Sequence, residues 1–282
     1  MRLMSRTLYE HWPEYLMEAW GLGTFMIAAS LFGTLLFASA SPFPTLIASD
    51  SARRACMGIA MGLTALGIVV SPWGRRSGAH INPAFTITYW RLGKVAHWDA
   101  VFYVTAQFVG GLAGVLLMIP ALGRPFTRAP VHYVVTVPGP WGVEAALIGE
   151  LAIALITMTV VLNLASRPRL APWTPYAVAL LVATWVTFES PYSGFGMNPA
   201  RTVASAVPSD DWTAMWLYLV CPIAGMLVAA ELFRFVGGSP GTVARALCAK
   251  IYHDASFFCA HARPHKGSLP RCIFCRDRVR AG

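Results

Sequence analysis

Six uncharged apolar runs constrain this chain more than any other feature: residues 19–40, 55–73, 100–123, 151–166, 170–188 and 212–230. Each approaches or exceeds the roughly 17 to 25 residues that a helix needs to cross a hydrocarbon core. The fourth is the shortest and is completed by starting near Glu144. Lipid cannot satisfy a backbone N–H or C=O, so a spanning segment must be a helix or part of a closed barrel, and barrel strands are about half this long with alternating polarity. The expected fold is therefore an all-α membrane protein with six transmembrane helices. Only 12% of the 282 residues are charged while 56% are hydrophobic, against roughly a quarter charged in a soluble domain.

An even number of spans puts both termini on one side. Threading the spans in order leaves seventeen Lys and Arg residues on the termini side and five, Arg53, Arg54, Arg124, Arg128 and Arg201, on the other. The positive-inside rule then places both termini in the cytoplasm. The same distribution accounts for the net charge of +9 without any nucleic-acid partner. Ala38-Ser39-Ala40 resembles a signal-cleavage site, but the run before it is too long for a signal h-region and Glu10, Glu14 and Glu18 precede it, so the first helix is expected to stay uncleaved. Cys56 and Cys221 fall in spans and the other four Cys in the tail, so no structural disulfide is expected.

The expected organisation is a short cytoplasmic lead, 1–13, a channel-like domain, 14–237, with halves 14–123 and 142–237, and a basic Cys/His-rich cytoplasmic tail, 238–282. The string Ser77-Gly78-Ala79-His80-Ile81-Asn82-Pro83-Ala84 returns as Ser193-Gly194-Phe195-Gly196-Met197-Asn198-Pro199-Ala200. Each copy follows the second span of a three-span half, and an odd number of spans gives the halves opposite orientation. The segments after each Asn, 82–91 and 198–207, are too short to span; they are expected to be two re-entrant half-helices in an inverted repeat. Asn is a good N-cap and Pro is favoured at the first helical position, so each half-helix would start at its Asn-Pro and aim its positive dipole end at the bilayer centre. The non-helical residues before each Asn leave carbonyls at Gly78, Ala79, His80, Gly194, Phe195 and Gly196, and backbone of this kind is tolerated at membrane depth only in protein or beside a water-filled cavity.

Such parts would form a pore. Water at its centre would accept from Asn82 and Asn198, which interrupts a proton wire, and the two helix ends would repel cations. Arg201, one residue beyond the second Asn-Pro-Ala, would add a fixed positive charge favouring neutral solutes.

The two Asn-Pro-Ala motifs, the Gly-Ala-His-Ile before the first and the Ala-Arg after the second resemble the aquaporin and glycerol-facilitator (major intrinsic protein) family over residues 14–236. The resemblance implies a homotetramer with one pore per subunit, passive conduction of water or glycerol and no cofactor. It implies that Glu18 and Glu150 brace the half-helix loops. Its four filter positions match Met61, Val186, Phe195 and Arg201, with Gly62 the alternative to Met61 if the loop after the second span has no insertion. Water-only members of the family carry an aromatic residue and His where this chain has Met61 and Val186. Members selective for glycerol carry Asp and a basic residue where it has Thr202 and Ala206; Tyr218 matches the water type and Leu219 the glycerol type. The permeant is thus water, with glycerol or another small neutral solute as the alternative.

Three further features stand apart. Glu189 is expected to be a solvated vestibule residue or a partner for loop N–H groups, and His80 to line the cytoplasmic vestibule. In the tail, His261, His265, Cys272 and Cys275 are a weak candidate set for zinc, set against a basic segment lying on anionic lipid; a sensor or scaffold acting through this tail is the different-class alternative. Inverted repeats also build transporters, but the re-entrant segments carry no acidic residue for a coupling ion. No nucleophile, base and orienter can be assembled for an enzyme.

Overall fold

The computed structural model of the protein describes residues 2–167 and 169–236. Eight principal helices are present among the described residues: α1 (Arg2–Phe37), α2 (Asp50–Val70), α3 (Pro83–Arg91), α4 (His97–Leu122), α5 (Gly142–Ala165), α6 (Thr174–Thr184), α7 (Pro199–Ser209) and α8 (Met215–Val236). A π-turn, Trp185–Glu189, and a last turn, Ser190–Ser193, extend α6. Six of the helical segments are long and apolar enough to cross a membrane, while α3 and α7 have 9 and 11 residues. The expected all-α architecture is what the chain adopts.

The residues expected as a lead belong to the first helix, which begins at Arg2 and passes through Pro13. Polar contacts hold this extension on the bundle: Tyr15 donates to Asp99 at the start of α4 (2.7 Å), His11 Nδ1 lies 3.0 Å from the same carboxylate, and Arg76 donates to Glu14 (2.8 Å). Exposed tryptophans gather at the two ends of the bundle, Trp12, Trp73, Trp90 and Trp173 towards the termini and Trp141, Trp212 and Trp216 at the opposite end. Amphipathic rings at both ends of an apolar band are the pattern of a membrane-spanning body.

Within the first half α1 packs along α4, within the second α5 packs along α8, and α2 against α6 joins the halves. The contacts are made through missing side chains. A Cβ at Gly110 would fall on the backbone of Ala19, and one at Gly114 would come 2.5 Å from the Gly23 carbonyl; in the second half a Cβ at Gly225 would come 2.7 Å from the Leu151 carbonyl. Small residues let helix backbones touch, which replaces the hydrophobic drive that lipid cannot supply. The resulting closeness brings α3 against α4 and α8, and α7 against α4, so both half-helices are walled in on the interior of the bundle.

Gly110→Ala is expected to cost about 1–3 kcal/mol through overpacking against a backbone that cannot step aside. Gly67→Ala, where a Cβ meets nothing within 4 Å, is the control and should leave the thermal midpoint in detergent within a degree or two; equal effects of the two substitutions would contradict this packing account.

Candidate functional site

The site is built around two buried carboxylates. Glu18 on α1 and Glu150 on α5 are both fully buried. Glu18 accepts from the Ser77 hydroxyl (2.8 Å), the His80 N–H (3.0 Å), the Ile81 N–H (2.6 Å) and the Gln107 amide (2.8 Å). Glu150 accepts from the Ser193 hydroxyl (2.7 Å), the Gly196 N–H (2.6 Å) and the Met197 N–H (2.6 Å). Each serine also accepts from the residue two positions on, Ala79 or Phe195, and each serine's carbonyl accepts from a tyrosine, Tyr103 on α4 (2.8 Å) or Tyr218 on α8 (2.6 Å).

This anchoring decides where the carbonyls point. In a trans peptide the N–H and the preceding C=O are directed oppositely. Fixing the N–H groups of Ala79, His80 and Ile81 towards Ser77 and Glu18 therefore turns the carbonyls of Gly78, Ala79 and His80 the other way. The same holds for Gly194, Phe195 and Gly196 in the second loop. Both loops need left-handed backbone to do so: Ala79, Ile81, Phe195 and Met197 have φ between 40° and 56°. Non-glycine residues in this region are strained and persist where the surroundings over-determine them, and the carboxylates are those surroundings.

The loops end at the two asparagines, which cap α3 and α7 as the sequence predicts. Asn82 Oδ1 accepts from the Ala84 N–H (2.8 Å), and Asn198 Oδ1 from those of Ala200 (3.1 Å) and Arg201 (3.2 Å). Their amides cross: Asn82 Nδ2 donates to the Met197 carbonyl (2.9 Å) and Asn198 Nδ2 to the Ile81 carbonyl (2.7 Å). An amide NH₂ has two hydrogens. One on each Asn ties the halves together, and one is left to donate into the space between them.

That space is a cavity of about 550 Å³ lined by His80, Asn82, Asn198 and Arg201, reaching Arg75 and Tyr176 at the termini end. A second cavity of about 180 Å³ at the opposite end is lined by Met61, Val186, Phe195 and Arg201. Phe25, Phe195 and Arg201 belong to both, so the two meet at Phe195 and Arg201. Met61, Val186, Phe195 and Arg201 thus line one cavity, and Gly62 does not: a Cβ at Gly62 would come 2.6 Å from the Ala179 carbonyl, on the face packed against α6. His80 lines the larger cavity, its Nδ1 3.1 Å from the Thr86 hydroxyl and its ring stacked on Tyr89.

Glu189 departs from both expectations for it, a solvated vestibule residue and a partner for loop N–H groups: no N–H among the described residues donates to it. The π-turn carries it inward, where it is buried against Gly149, and it lines neither cavity. Sequence reasoning missed Gln107 and Tyr103, whose signal was polar side chains recurring with Asp99 at four-residue intervals in an otherwise apolar helix. It also missed Arg54 and Met57, which share the second cavity with Met61. The candidate zinc residues His261, His265, Cys272 and Cys275 lie outside the described residues.

Removing one carboxylate strands several donors. Glu150→Ala leaves two N–H groups and a hydroxyl buried and unpaired, at about 1–3 kcal/mol each, and should abolish folding or lower the midpoint sharply. Glu150→Gln keeps one acceptor but offers an NH₂ to an N–H donor, and should fall between. A thermal midpoint for Glu150→Ala matching the parent would remove the bracing role.

The family model described as "MIP: Major intrinsic protein" matches residues 10–233. Among similar proteins, Aquaporin Z of Photorhabdus laumondii is 28% identical over 224 residues, covering 76% of this chain and 94% of that one. Probable aquaporin AqpM of Archaeoglobus fulgidus is 32% identical over 187 residues, covering 64% and 75%. Among solved structures, the aquaglyceroporin from Plasmodium falciparum superposes with a TM-score of 0.67 at 20% identity, covering 81% of this chain and 97% of that one, a likeness of fold. With the matched region enclosing every residue of the paired loops, the chain belongs to the major intrinsic protein family and is a multi-pass integral membrane protein.

Proposed function

We propose that the protein is a passive channel for water, passing glycerol or another small neutral solute more slowly and excluding ions and protons. The observation that carries this reading is the crossed asparagine pair, set between two rows of carbonyls beside a cavity that meets a second one at Phe195 and Arg201. A solute moving along the carbonyls exchanges hydration for backbone acceptors, and at the centre it meets donors only. Water there is forced to present its oxygen to Asn82 and Asn198, so a proton cannot be relayed through it. The N-termini of α3 and α7 meet at the same point and oppose cations.

At the constriction the walls are Met61, Val186 and Phe195, and Arg201 is the polar side chain among the four. Water needs few replacements for its hydration and fits this wall. Glycerol has three hydroxyls to satisfy and an apolar carbon face that Phe195 could accompany, which supports slower passage. The lysine and arginine distribution supports cytoplasmic termini in the cell (inner) membrane, and the family supports a homotetramer. The match to the major intrinsic protein family supports a channel rather than an enzyme.

Stopped-flow shrinkage of proteoliposomes tests the reading: water permeability should exceed that of empty liposomes by about tenfold with the low activation energy of a pore, as expected if the channel rather than the lipid carries the flux. Glycerol passing freely with water at the empty-liposome rate would overturn it. Two variants probe the filter. Val186→His should raise the ratio of water to glycerol flux by adding volume and a polar group, and Arg201→Ala should lower it and admit larger solutes; an unchanged solute ranking in both would mean that these side chains do not set selectivity.

A further inference from the structure

The wall of the second cavity carries a charge that the filter does not require. Arg54 lies on α2 one turn before Met57 and two before Met61, and all three line the cavity with Arg201. Its neighbour Arg53 spends its two terminal nitrogens on the Pro44, Ile47 and Ala48 carbonyls and on Asp50, lies over the Phe37 ring and leaves only its Nε without an acceptor. Arg54 has no carbonyl or carboxylate partner among the described residues. Its one side-chain bond among the described residues is to the Ser51 hydroxyl (3.0 Å), and its Nε is buried with no acceptor. Arg201 Nη1 is likewise buried with no acceptor. Glu150, whose field reaches Arg201, is taken up by the loop donors and makes no ion pair with it among the described residues. None of the residues lining this cavity is acidic.

Two guanidiniums without an ion-pair partner among the described residues therefore share about 180 Å³ with walls that are otherwise mostly apolar, Phe37, Met57, Val131 and Val134 among them. A guanidinium is matched by a carboxylate, which accepts two parallel N–H bonds. Apolar walls favour an anion with a short alkyl group over an inorganic one, because the latter would lose hydration against Met57 and Val134 with nothing gained.

We propose that the mouth of the pore on the Arg54 side binds a small monocarboxylate anion between Arg54 and Arg201, with its alkyl group on Met57 and Val134, and that the bound anion plugs the pore. Below the site, Met61, Val186 and Phe195 offer no replacement for a charge's hydration, so the anion stops there. Plugging rests on the conduction proposed above; binding does not.

Both are measured with propionate. In proteoliposomes at neutral pH, potassium propionate replacing potassium chloride on both sides at equal ionic strength should cut water permeability about threefold when present at twice its Kd. Calorimetric titration of the purified protein in detergent should give a Kd for propionate, none for the neutral isostere propionamide, and a Kd at least about tenfold weaker in Arg54→Gln, the loss of one charge-assisted pair. Arg54→Lys, which keeps the charge but not the fork, should fall between. Equal binding of propionate and propionamide, no heat with propionate, or an unchanged Kd in Arg54→Gln would each overturn the site. The propionamide comparison needs only the parent protein and stands if the variants do not fold. Binding without any measurable water flux would condemn the proposed conduction and leave the site intact; binding with flux equal in the two salts would overturn the plug.

Discussion

Two carboxylates buried where a charge is least welcome hold the rest of the molecule in order. A carboxylate in a membrane interior is expensive unless its lone pairs are satisfied, and a loop at the same depth is intolerable unless its N–H groups are. Glu18 and Glu150 resolve both problems with one set of bonds, since each oxygen takes donors from the loop that it serves. What the arrangement leaves over is a row of carbonyls with no such anchor. The chemistry of the passage is therefore a by-product of how the loops are secured. Helix packing serves the same end, because α1 and α4 must lie backbone to backbone for Gln107 to reach Glu18 and Thr86 together.

The two halves solve the problem alike but not identically. Ser77 and Ser193, Gly78 and Gly194, Tyr103 and Tyr218 play equivalent parts in their loops. Gln107, however, bonds Glu18 beside the first loop, while the second has Glu189 buried nearby against Gly149. The asymmetry extends to the ends of the passage. The larger cavity is lined by His80 and Tyr89 and the smaller by Arg54 and Met57, with Arg201 shared between them. An inverted repeat thus gives a symmetric middle with two chemically different entrances.

Much of this was legible in the sequence, for reasons that can be stated residue by residue. The spans announce themselves because lipid tolerates few charges, and Asn-Pro at both loop ends specifies a cap and a first turn whatever surrounds it. The start of α1 was not legible: Arg6, Glu10 and Pro13 look like a polar lead, and the helix there is kept by contacts to Asp99 and Arg76, far away in the chain. Met61 and Gly62 are separated by one residue of register, which the sequence cannot weigh; packing puts Gly62 on Ala179 and Met61 on the cavity. The π-turn at Trp185–Glu189 left no mark in composition at all, yet it turns Glu189 inward. Interactions that reach across the bundle are written in single polar residues, and their partners emerge only once the helices are placed.

The crossed bonds from Asn82 to Met197 and from Asn198 to Ile81 carry a mechanical consequence. They join the halves at mid-depth with one buried and one part-buried hydrogen bond, and buried bonds are the last to open in local fluctuations, whereas the second cavity is bounded in part by the loop of Pro130, Val131, Val134 and Val135. Stiffness is therefore expected to decline from the centre outward. Discrimination by dipole orientation at the centre is constant in time, while discrimination by width at the rim is an average over a breathing aperture, and the two would diverge with temperature: the first holding steady, the second loosening as the rim's amplitude grows.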